Sequence, residues 1–399
     1  MRIGIEGQRL FRKEKHGMDI VAMEIIKNLQ LIDSVNEYYI FVKDGEDDAW
    51  FEPTKNFHII RTKKRQYHIW EQLTLPKEVH KYKIEILHCT SNTAPMFVDA
   101  PLVLTLHDII YLENFKFISY QASFYQLIGN FYRRWVVPRI LKTSKKIITV
   151  SNSEKSTIIQ KYPHLEAKLE VVYNSYGESF NDYHPEMDQI VKEKYQLPAK
   201  YLFCLGNTSP KKNLSNILKA YYRYLDRNEE KLPLVLADHS PGDLFLFLNS
   251  ANTKYKPYIR FIGYVSNDEI PSIYKNSELF LYPSIRESFG IPILEGMKMG
   301  TPVITSNISC MPEIAGKSAY FVDPFDVKSI TKGIEVLLHN TKVKTAIVER
   351  GLQRVKNFSW EKSARQTLEI YEKVYEESKK KKKHFSLNLG RKKIEELFH

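Results

Sequence analysis

Glu278-Leu279-Phe280-Leu281-Tyr282 leads through Pro283-Ser284 into Arg286-Glu287-Ser288-Phe289-Gly290-Ile291-Pro292-Ile293-Leu294-Glu295-Gly296, and the stretch closes on Gly300-Thr301-Pro302-Val303-Ile304-Thr305. It reads as strand, loop, helix and strand. Pro292 suits the first helical position, where its missing N–H costs nothing. Gly300 ends the helix and Thr301 to Thr305 form the next strand. Glu287 therefore lies in the loop before the helix, and Glu295 about one turn inside it. The helix start offers unpaired N–H groups and the positive end of the dipole, a setting for phosphate. Carboxylates beside it are better placed to accept hydrogen bonds from hydroxyl groups. A ligand with both chemistries is a nucleotide sugar.

The same alternation extends outward in both directions. In the first half, strands are expected over Arg2–Glu6, Tyr38–Val42, Phe57–Arg61, Ile84–His88 (with alternating inward residues), Pro101–Leu106, Lys146–Ser151 and Leu169–Tyr173. Met18, Val21, Ala22, Ile25 and Leu29 fall at helical spacing, a long amphipathic segment covers about Tyr120 to Leu141, and Ser153 onward reads as a capped helix. The polar segment from Asn174 to Ala199, with Gly177, Pro185 and Pro198, reads as a linker. The pattern restarts with strands at Lys200–Leu205, Leu232–Ala237 and Tyr258–Phe261. Strands alternating with helices imply a parallel α/β sheet in each half, with ligands at the carboxyl ends of the strands and a cleft between the halves.

With 399 residues the chain is too long for one core. The expected division is a first domain over 1–175, a linker over 176–199, a second domain over 200–358, a C-terminal helix over 359–378 that packs back on the first domain, and a loosely ordered or surface-bound basic tail over 379–399. No apolar run is long enough to span a bilayer. The N-terminus enters a strand directly, so no signal sequence is expected. Cys89, Cys204 and Cys310 are isolated, which points to a reducing, cytoplasmic setting and to neither disulfides nor a zinc site.

The net charge is +12. Its excess gathers in Lys379 to Lys383, in Arg61, Lys63, Lys64 and Arg65, and in Arg133, Arg134, Arg139, Lys142, Lys145 and Lys146, the last interleaved with Phe131, Tyr132 and Trp135. Such surfaces attract anionic lipid or substrate, and equally serve as plain solvated surface. No helix-turn-helix, zinc finger or RNP motif accompanies them, which argues against nucleic acid.

Two further stretches carry chemistry. Gly206-Asn207-Thr208-Ser209-Pro210-Lys211-Lys212-Asn213 joins a strand to a helix. Gly206 allows close approach to a ligand, Lys211 and Lys212 offer charge to phosphate, and Ser209 or Asn213 can cap the helix. Taken alone, it is more readily a solvated turn; beside the helix start at Gly290 it becomes a second wall of one anion site. His107-Asp108 ends an apolar strand, where His107 can meet a hydroxyl or be held by backbone. Gly17, near Lys15 and His16, precedes the first helix.

Together these stretches resemble glycosyltransferase family 4, over roughly residues 1 to 377. The resemblance rests on Tyr282-Pro283-Ser284, the paired glutamates with Phe289-Gly290 and Gly296, Gly300-Thr301-Pro302-Val303-Ile304, Met311-Pro312-Glu313-Ile314 with Gly316, and Val322-Asp323-Pro324. In the first half it rests on His107-Asp108, Thr149-Val150-Ser151-Asn152-Ser153 and Val171-Val172-Tyr173-Asn174. It implies the GT-B fold, two Rossmann-like domains facing across a cleft. It implies a retaining, metal-independent transfer of a sugar from a nucleotide diphosphate donor, with no cofactor. The acceptor would be a lipid-linked or cell-surface glycan, and mannose a candidate sugar. By the same resemblance, Glu295 would hold the ribose and Glu287 the donor sugar. Ser288, Phe289, Gly290 and Ile291 would border the sugar and phosphate, the backbone N–H groups of Phe289 and Gly290 facing them. Lys212 would bind the diphosphate, with Gly206, Asn207 and Lys211 around it. Gly263, Tyr264 and Val265 would line the base pocket. His107 would meet the sugar near the reacting centre, Asp108 the acceptor side, and Gly17 the diphosphate. The chain departs from the family at Asn207, where arginine or threonine is common and Lys211 can substitute, and at Ala237-Asp238-His239, where glycines are usual. A glycosidase would need its two acids facing each other across the scissile bond, and the spacing around a helix start favours donor clamping. A nucleotide-sugar epimerase or a non-catalytic scaffold of the same fold are the remaining alternatives. The basic segments would place the protein in the cytoplasm, at the inner face of a membrane.

Overall fold

The computed structural model describes residues 1–12, 17–43, 52–63, 66–112, 124–206, 209–239 and 250–397. Among them, β1 (Arg2–Glu6), β2 (Glu37–Lys43), β3 (Phe57–Thr62), β4 (Ile86–Cys89), β5 (Leu102–Thr105), β6 (Lys146–Thr149) and β7 (Leu169–Val171) form one parallel sheet in the order β3-β2-β1-β4-β5-β6-β7. A second parallel sheet contains β8 (Leu202–Leu205), β9 (Leu234–Ala237), β10 (Ile259–Gly263), β11 (Leu279–Tyr282), β12 (Val303–Ser306) and β13 (Tyr320–Val322), in the order β10-β9-β8-β11-β12-β13. Winding reverses between β1 and β4 in the first sheet and between β8 and β11 in the second. At such a reversal the connecting loops diverge and leave a crevice at the strand ends.

The central strands are apolar on both faces because helices cover both sides. All four residues of β4 are buried, His88 included, so the alternation expected there is absent. The three-residue β13 is too short to show a pattern and was not expected as a strand. The helix after β6 begins at Asn152, one residue earlier than expected, and its cap is Ser151, whose Oγ accepts from the Glu154 N–H.

The linker segment is more than a spacer. It holds the helix Met187–Lys194, and its Phe180, Val191 and Leu197 belong to the core of the second half, packed with Tyr274 and Phe280. Burying three such side chains contributes roughly 1.5–3 kcal/mol each, which ties the segment to that half. The final helix runs unbroken from Trp360 to Leu397, so the lysine run continues it rather than ending it. Lysine has good helix propensity, and a change of polarity alone does not stop a helix. Trp360, Ala364, Ile370, Tyr371 and Val374 lie in the first half's core, against the helix Gly17–Ile32. The aromatic, basic segment is helical over Phe124–Thr143. Val136, Val137, Ile140 and Leu141 face the core, whereas Phe131 and Trp135 are exposed.

Candidate active site

A cavity of about 1010 Å³ lies between the two halves and is lined by loops at the carboxyl ends of both sheets. Its second-half wall is assembled by one asparagine. Asn213 ends the turn Pro210–Lys212 in a left-handed conformation, φ +63°. Its Nδ2 donates to the carbonyls of Pro283, at 2.9 Å, and Pro324, at 2.7 Å. It therefore makes no side-chain cap for the helix Leu214–Arg227, and neither does Ser209 for the turn before it. The Ile285 N–H donates to the Lys211 carbonyl at 2.7 Å. These bonds sew the loop after β8 to the loop after β11 and bring Lys212 beside Glu287.

Lys212 Nζ lies 2.8 Å from Glu287 Oε1 and 2.9 Å from the Tyr282 hydroxyl, over the Tyr282 ring. An ammonium has three donors, and two are engaged here. Gly206 packs against the Lys212 stem: a Cβ there would meet Lys212 Cγ at 3.5 Å. The Glu287 carboxyl is buried. Burial pushes its pKa up, but Lys212 and then Lys211 outweigh it, and the group sits below the usual carboxylate range. Its backbone is anchored as well: Ser309 Oγ and Cys310 Sγ donate to its carbonyl at 2.8 and 3.3 Å.

Glu295 has the opposite electrostatics. It lies inside the helix Ile291–Lys298, accepts from the Tyr274 hydroxyl at 2.9 Å, and is pushed up to about 7, chiefly by burial. Gly290 precedes this helix with φ +86°, a left-handed conformation that a side chain resists. Pro292 is the second helical residue rather than the first. Phe289 is buried against Tyr173 and Phe358.

His107 faces the cavity from the first half. Its Nε2 is 2.9 Å from the Thr90 carbonyl, so the proton sits on Nε2 and Nδ1 is the ring's acceptor. Burial holds its pKa below the ordinary value, which keeps the imidazole neutral. Its backbone N–H donates to Asn92 Oδ1 at 2.6 Å, fixing the strand end. Asp108 accepts from Ser288 Oγ across the cleft at 3.4 Å.

Two family models tile this architecture: "Glycosyl transferases group 1" matches residues 187–354 and "Glycosyltransferase Family 4" matches residues 17–176. The chain belongs to the family 4, group 1 glycosyltransferases. The chain is 32% identical over 234 residues to O-antigen chain mannosyltransferase B of Escherichia coli, covering 58% of this chain and 61% of the relative. It is 28% identical over 256 residues to O-antigen chain mannosyltransferase RfbU of Salmonella typhimurium, covering 64% and 65%. Against the Escherichia coli serotype-specific mannosyltransferase WbdA it is 27% identical, and the match spans only 29% of that longer protein. The chain thus spans less than two thirds of the length of these relatives. Solved structures share the GT-B fold. WaaG, a glycosyltransferase involved in lipopolysaccharide biosynthesis, aligns with TM-score 0.69 at 14% identity over 92% of this chain and 99% of its own. Anabaena HepE in complex with UDP-glucose aligns with TM-score 0.70 at 17% identity over 94% and 100%.

Of the residues singled out in the sequence, Gly17, His107, Asp108, Gly206, Lys212, Tyr264, Val265, Glu287, Ser288, Phe289, Gly290, Ile291 and Glu295 line the cavity. Gly263 does not: it ends β10 with φ +66°, and its carbonyl accepts from the Asp238 N–H. Lys211 acts on Glu287 through its charge and is not on the wall. Asn207 lies outside the described residues, as do Lys15, His16, Lys64 and Arg65. The departure at Asp238 has a local answer, because Asp238 itself takes the left-handed conformation, φ +60°, that a glycine would supply. Sequence reasoning missed Tyr282, five residues before Glu287, as the partner of Lys212. It also missed Glu24 and Lys27 on the wall. Glu24, pushed up to about 7 by burial, stands on the buried face of the Gly17–Ile32 helix, and an acid at an apolar position was the available signal.

Among the described residues no group of three or more His, Cys, Asp or Glu could hold a metal ion. Among them, too, no helix is long and apolar enough to cross a membrane.

Proposed function

We propose that this glycosyltransferase moves a hexosyl group from a nucleotide diphosphate donor to a hydroxyl of a lipid-linked or cell-surface glycan, with retention of anomeric configuration and without a metal. The Lys212–Glu287 pair carries this reading. It is a desolvated cation and anion beside a helix N-terminus, with Glu295 one turn on and neutral His107 opposite. The third donor of Lys212 and the helix N–H groups take the diphosphate, Glu295 takes the ribose hydroxyls, and Glu287 orients a hydroxyl of the sugar. The anomeric C–O bond to the diphosphate breaks as the acceptor oxygen bonds on the same face, and the acceptor proton passes to the departing phosphate oxygen. Stabilising charge on that oxygen is the chain's main contribution, on the order of a few kcal/mol for each well-placed donor. The relatives' names support mannose as the sugar and a surface polysaccharide as the product.

The test is a nucleotide-release screen with GDP-mannose, UDP-glucose and UDP-N-acetylglucosamine, with EDTA present and a glycan acceptor, followed by NMR of the new anomeric centre. Acceptor-dependent release with a retained anomer is expected. Release in none of the mixtures, an inverted product, or isomerised donor without transfer would each overturn it.

The acceptor reading places the protein in the cytoplasm, against an anionic membrane face. Phe131 and Trp135, 75% and 45% exposed, lie on the helix that carries Arg134, Arg139 and Lys142, and Arg139 stacks on Trp135. Exposed aromatic and basic side chains on one helix favour lipid interfaces over nucleic acid. Flotation with phosphatidylglycerol liposomes should be weakened by Phe131→Ser/Trp135→Ser and by removing residues 379–399. Absence of flotation by the full chain would refute membrane attachment.

A further inference from the structure

Ser151, Asn152, Ser153 and Glu154 open the helix Asn152–Lys161 in the first half, and all four are bonded to the second half. Ser151 Oγ donates to the Ser288 carbonyl at 2.7 Å. The N–H groups of Asn152 and Ser153 donate to the Glu313 carboxylate at 2.7 and 2.8 Å, and Asn152 Nδ2 joins them at 3.0 Å. Glu154 Oε2 accepts from Arg286 Nη2 at 2.6 Å. A helix start has unpaired N–H groups that its own sequence usually caps. Ser151 caps the Glu154 N–H, but the Asn152 and Ser153 N–H groups take a carboxylate from the other half, and the Tyr173 hydroxyl donates to the same carboxylate at 2.8 Å. Glu313 is held for the purpose: Arg354 donates to the carbonyls of Glu313 and Ile314 at 2.7 and 3.0 Å.

The Glu154–Arg286 pair reaches both sides of the cleft. Glu154 Oε1 accepts from the Ile109 N–H at 3.1 Å, one residue after Asp108. Arg286 Nη1 donates to the Glu287 carbonyl at 3.0 Å. The path His107–Asp108–Ile109, Glu154, Arg286, Glu287 is thus continuous in covalent and hydrogen bonds. Glu154 is fully buried, and parting the pair would leave it without its counter-charge. Burial pushes the Glu154 carboxyl up to about 7 against the pull of Arg286, which marks a site that depends on its partner. None of Ser151, Asn152, Ser153, Glu154, Arg286 and Glu313 lines the cavity.

We propose that Ser151–Glu154 is a docking clip that sets Glu287 and Ser288 against His107 and Asp108, and that Glu154, Arg286 and Glu313 are positioning residues for sugar transfer. The clip rests on the transfer reading for its consequence, but its mechanical part is measurable without it. The side chains proposed above to hold the nucleotide, Lys212 and Glu295, lie in the second half, and the first half offers it only Gly17, so loosening the clip should leave most of its binding intact while misaligning the reacting centres.

The experiment compares the full chain with Glu313→Ala, Glu154→Gln and the milder Ser151→Ala. Hydrogen exchange at the Asn152 and Ser153 amides should speed up at least tenfold in Glu313→Ala, and small-angle scattering should show a larger radius of gyration. Calorimetric titration with GDP and with UDP should give affinities within about twofold of wild type. Turnover should fall about 10–100-fold in Glu313→Ala and Glu154→Gln and a few-fold in Ser151→Ala, with the donor KM little changed, as expected for misplaced but bound reactants. Unchanged amide exchange in Glu313→Ala would overturn the clip, as would unchanged turnover in an active enzyme or a parallel loss of nucleotide affinity and turnover. Should Glu313→Ala fail to fold, Ser151→Ala and Glu154→Gln decide by the same ratio of turnover to affinity. A wild type that transfers no sugar refutes the transfer reading, while the exchange and scattering arms still judge the clip.

Discussion

Replacing Lys212 by alanine should damage activity and stability through separable causes. For activity, the variant loses the ammonium proposed to face the leaving diphosphate, and removing one preorganised donor of this kind should lower turnover about 10²–10³-fold, roughly 3–4 kcal/mol. For stability, it strands the Glu287 carboxylate, whose side chain is 10% exposed. The stranded group escapes by taking up a proton, so the penalty cannot exceed the cost of protonating an ordinary glutamate. With an unfolded pKa of 4.5, that ceiling is about 4 kcal/mol at pH 7.5 and about 0.7 kcal/mol at pH 5. In the wild type the Glu287 pKa is depressed, so its contribution is present above pH 4.5 and is lost only as pH falls through the lower folded value. The comparison at pH 5 is therefore fair. For a unit of about 200 residues, these ceilings correspond to roughly 8 °C or more and about 1–3 °C in Tm. Lys212→Ala/Glu287→Gln removes the stranded charge and should regain most of the stability at pH 7.5 without regaining turnover. The assays are thermal unfolding by circular dichroism at the two pH values and nucleotide release with the active donor. Wild-type turnover in Lys212→Ala would refute the diphosphate role, and a Tm loss independent of pH would refute the stranded-carboxylate argument.

Three other outcomes follow from the geometry. Glu295, raised to about 7 by burial with Asp238 adding and Tyr274 and Lys212 opposing, keeps its proton in the folded state while the unfolded chain loses it. It therefore costs stability progressively as pH rises from 4.5 to 7. Ionised Glu295 accepts ribose hydroxyls better than the acid, so calorimetric affinity for GDP or UDP should rise several-fold from pH 6 to pH 8, and Glu295→Gln should flatten that profile. Asn213→Ala leaves the Pro283 carbonyl without this donor and the Pro324 carbonyl with Asn216 alone, and it gives up asparagine's tolerance of φ +63°, which should cost about 1–3 kcal/mol in urea unfolding, with Asn213→Gly recovering about 1 kcal/mol. Gly290→Ala meets both a φ of +86° and Ile293 Cδ1 at 3.2 Å; it should lose about 1–2 kcal/mol of stability and weaken nucleotide binding, measured by the same titration.

Much of this architecture is legible in the chain itself. The strand-helix alternation, the restart after the polar segment and the helix start at Gly290 are local patterns, written in apolar spacing and in the backbone needs of Gly and Pro. The same locality placed Glu287 before a helix and Glu295 inside it. Where local signals were weak, the reading failed: β13 has three residues, the lysine run continued a helix, and Asn213 turned its side chain to two distant carbonyls instead of capping.

Read alone, the chain puts Lys211, Lys212 and His107 in segments that follow or end strands, Glu287 before a helix and Glu295 inside it. Tertiary structure decided what each of them is. Lys212 and Glu287, 75 positions apart, became an ion pair. Two glutamates of identical chemistry were driven in opposite directions, Glu287 below the carboxylate range and Glu295 up to about 7. Ser151 to Glu154 joined Arg286, Ser288 and Glu313 across more than 130 positions. Spacing along a chain encodes which face a side chain takes, but pairing and desolvation depend on what the fold brings against that face.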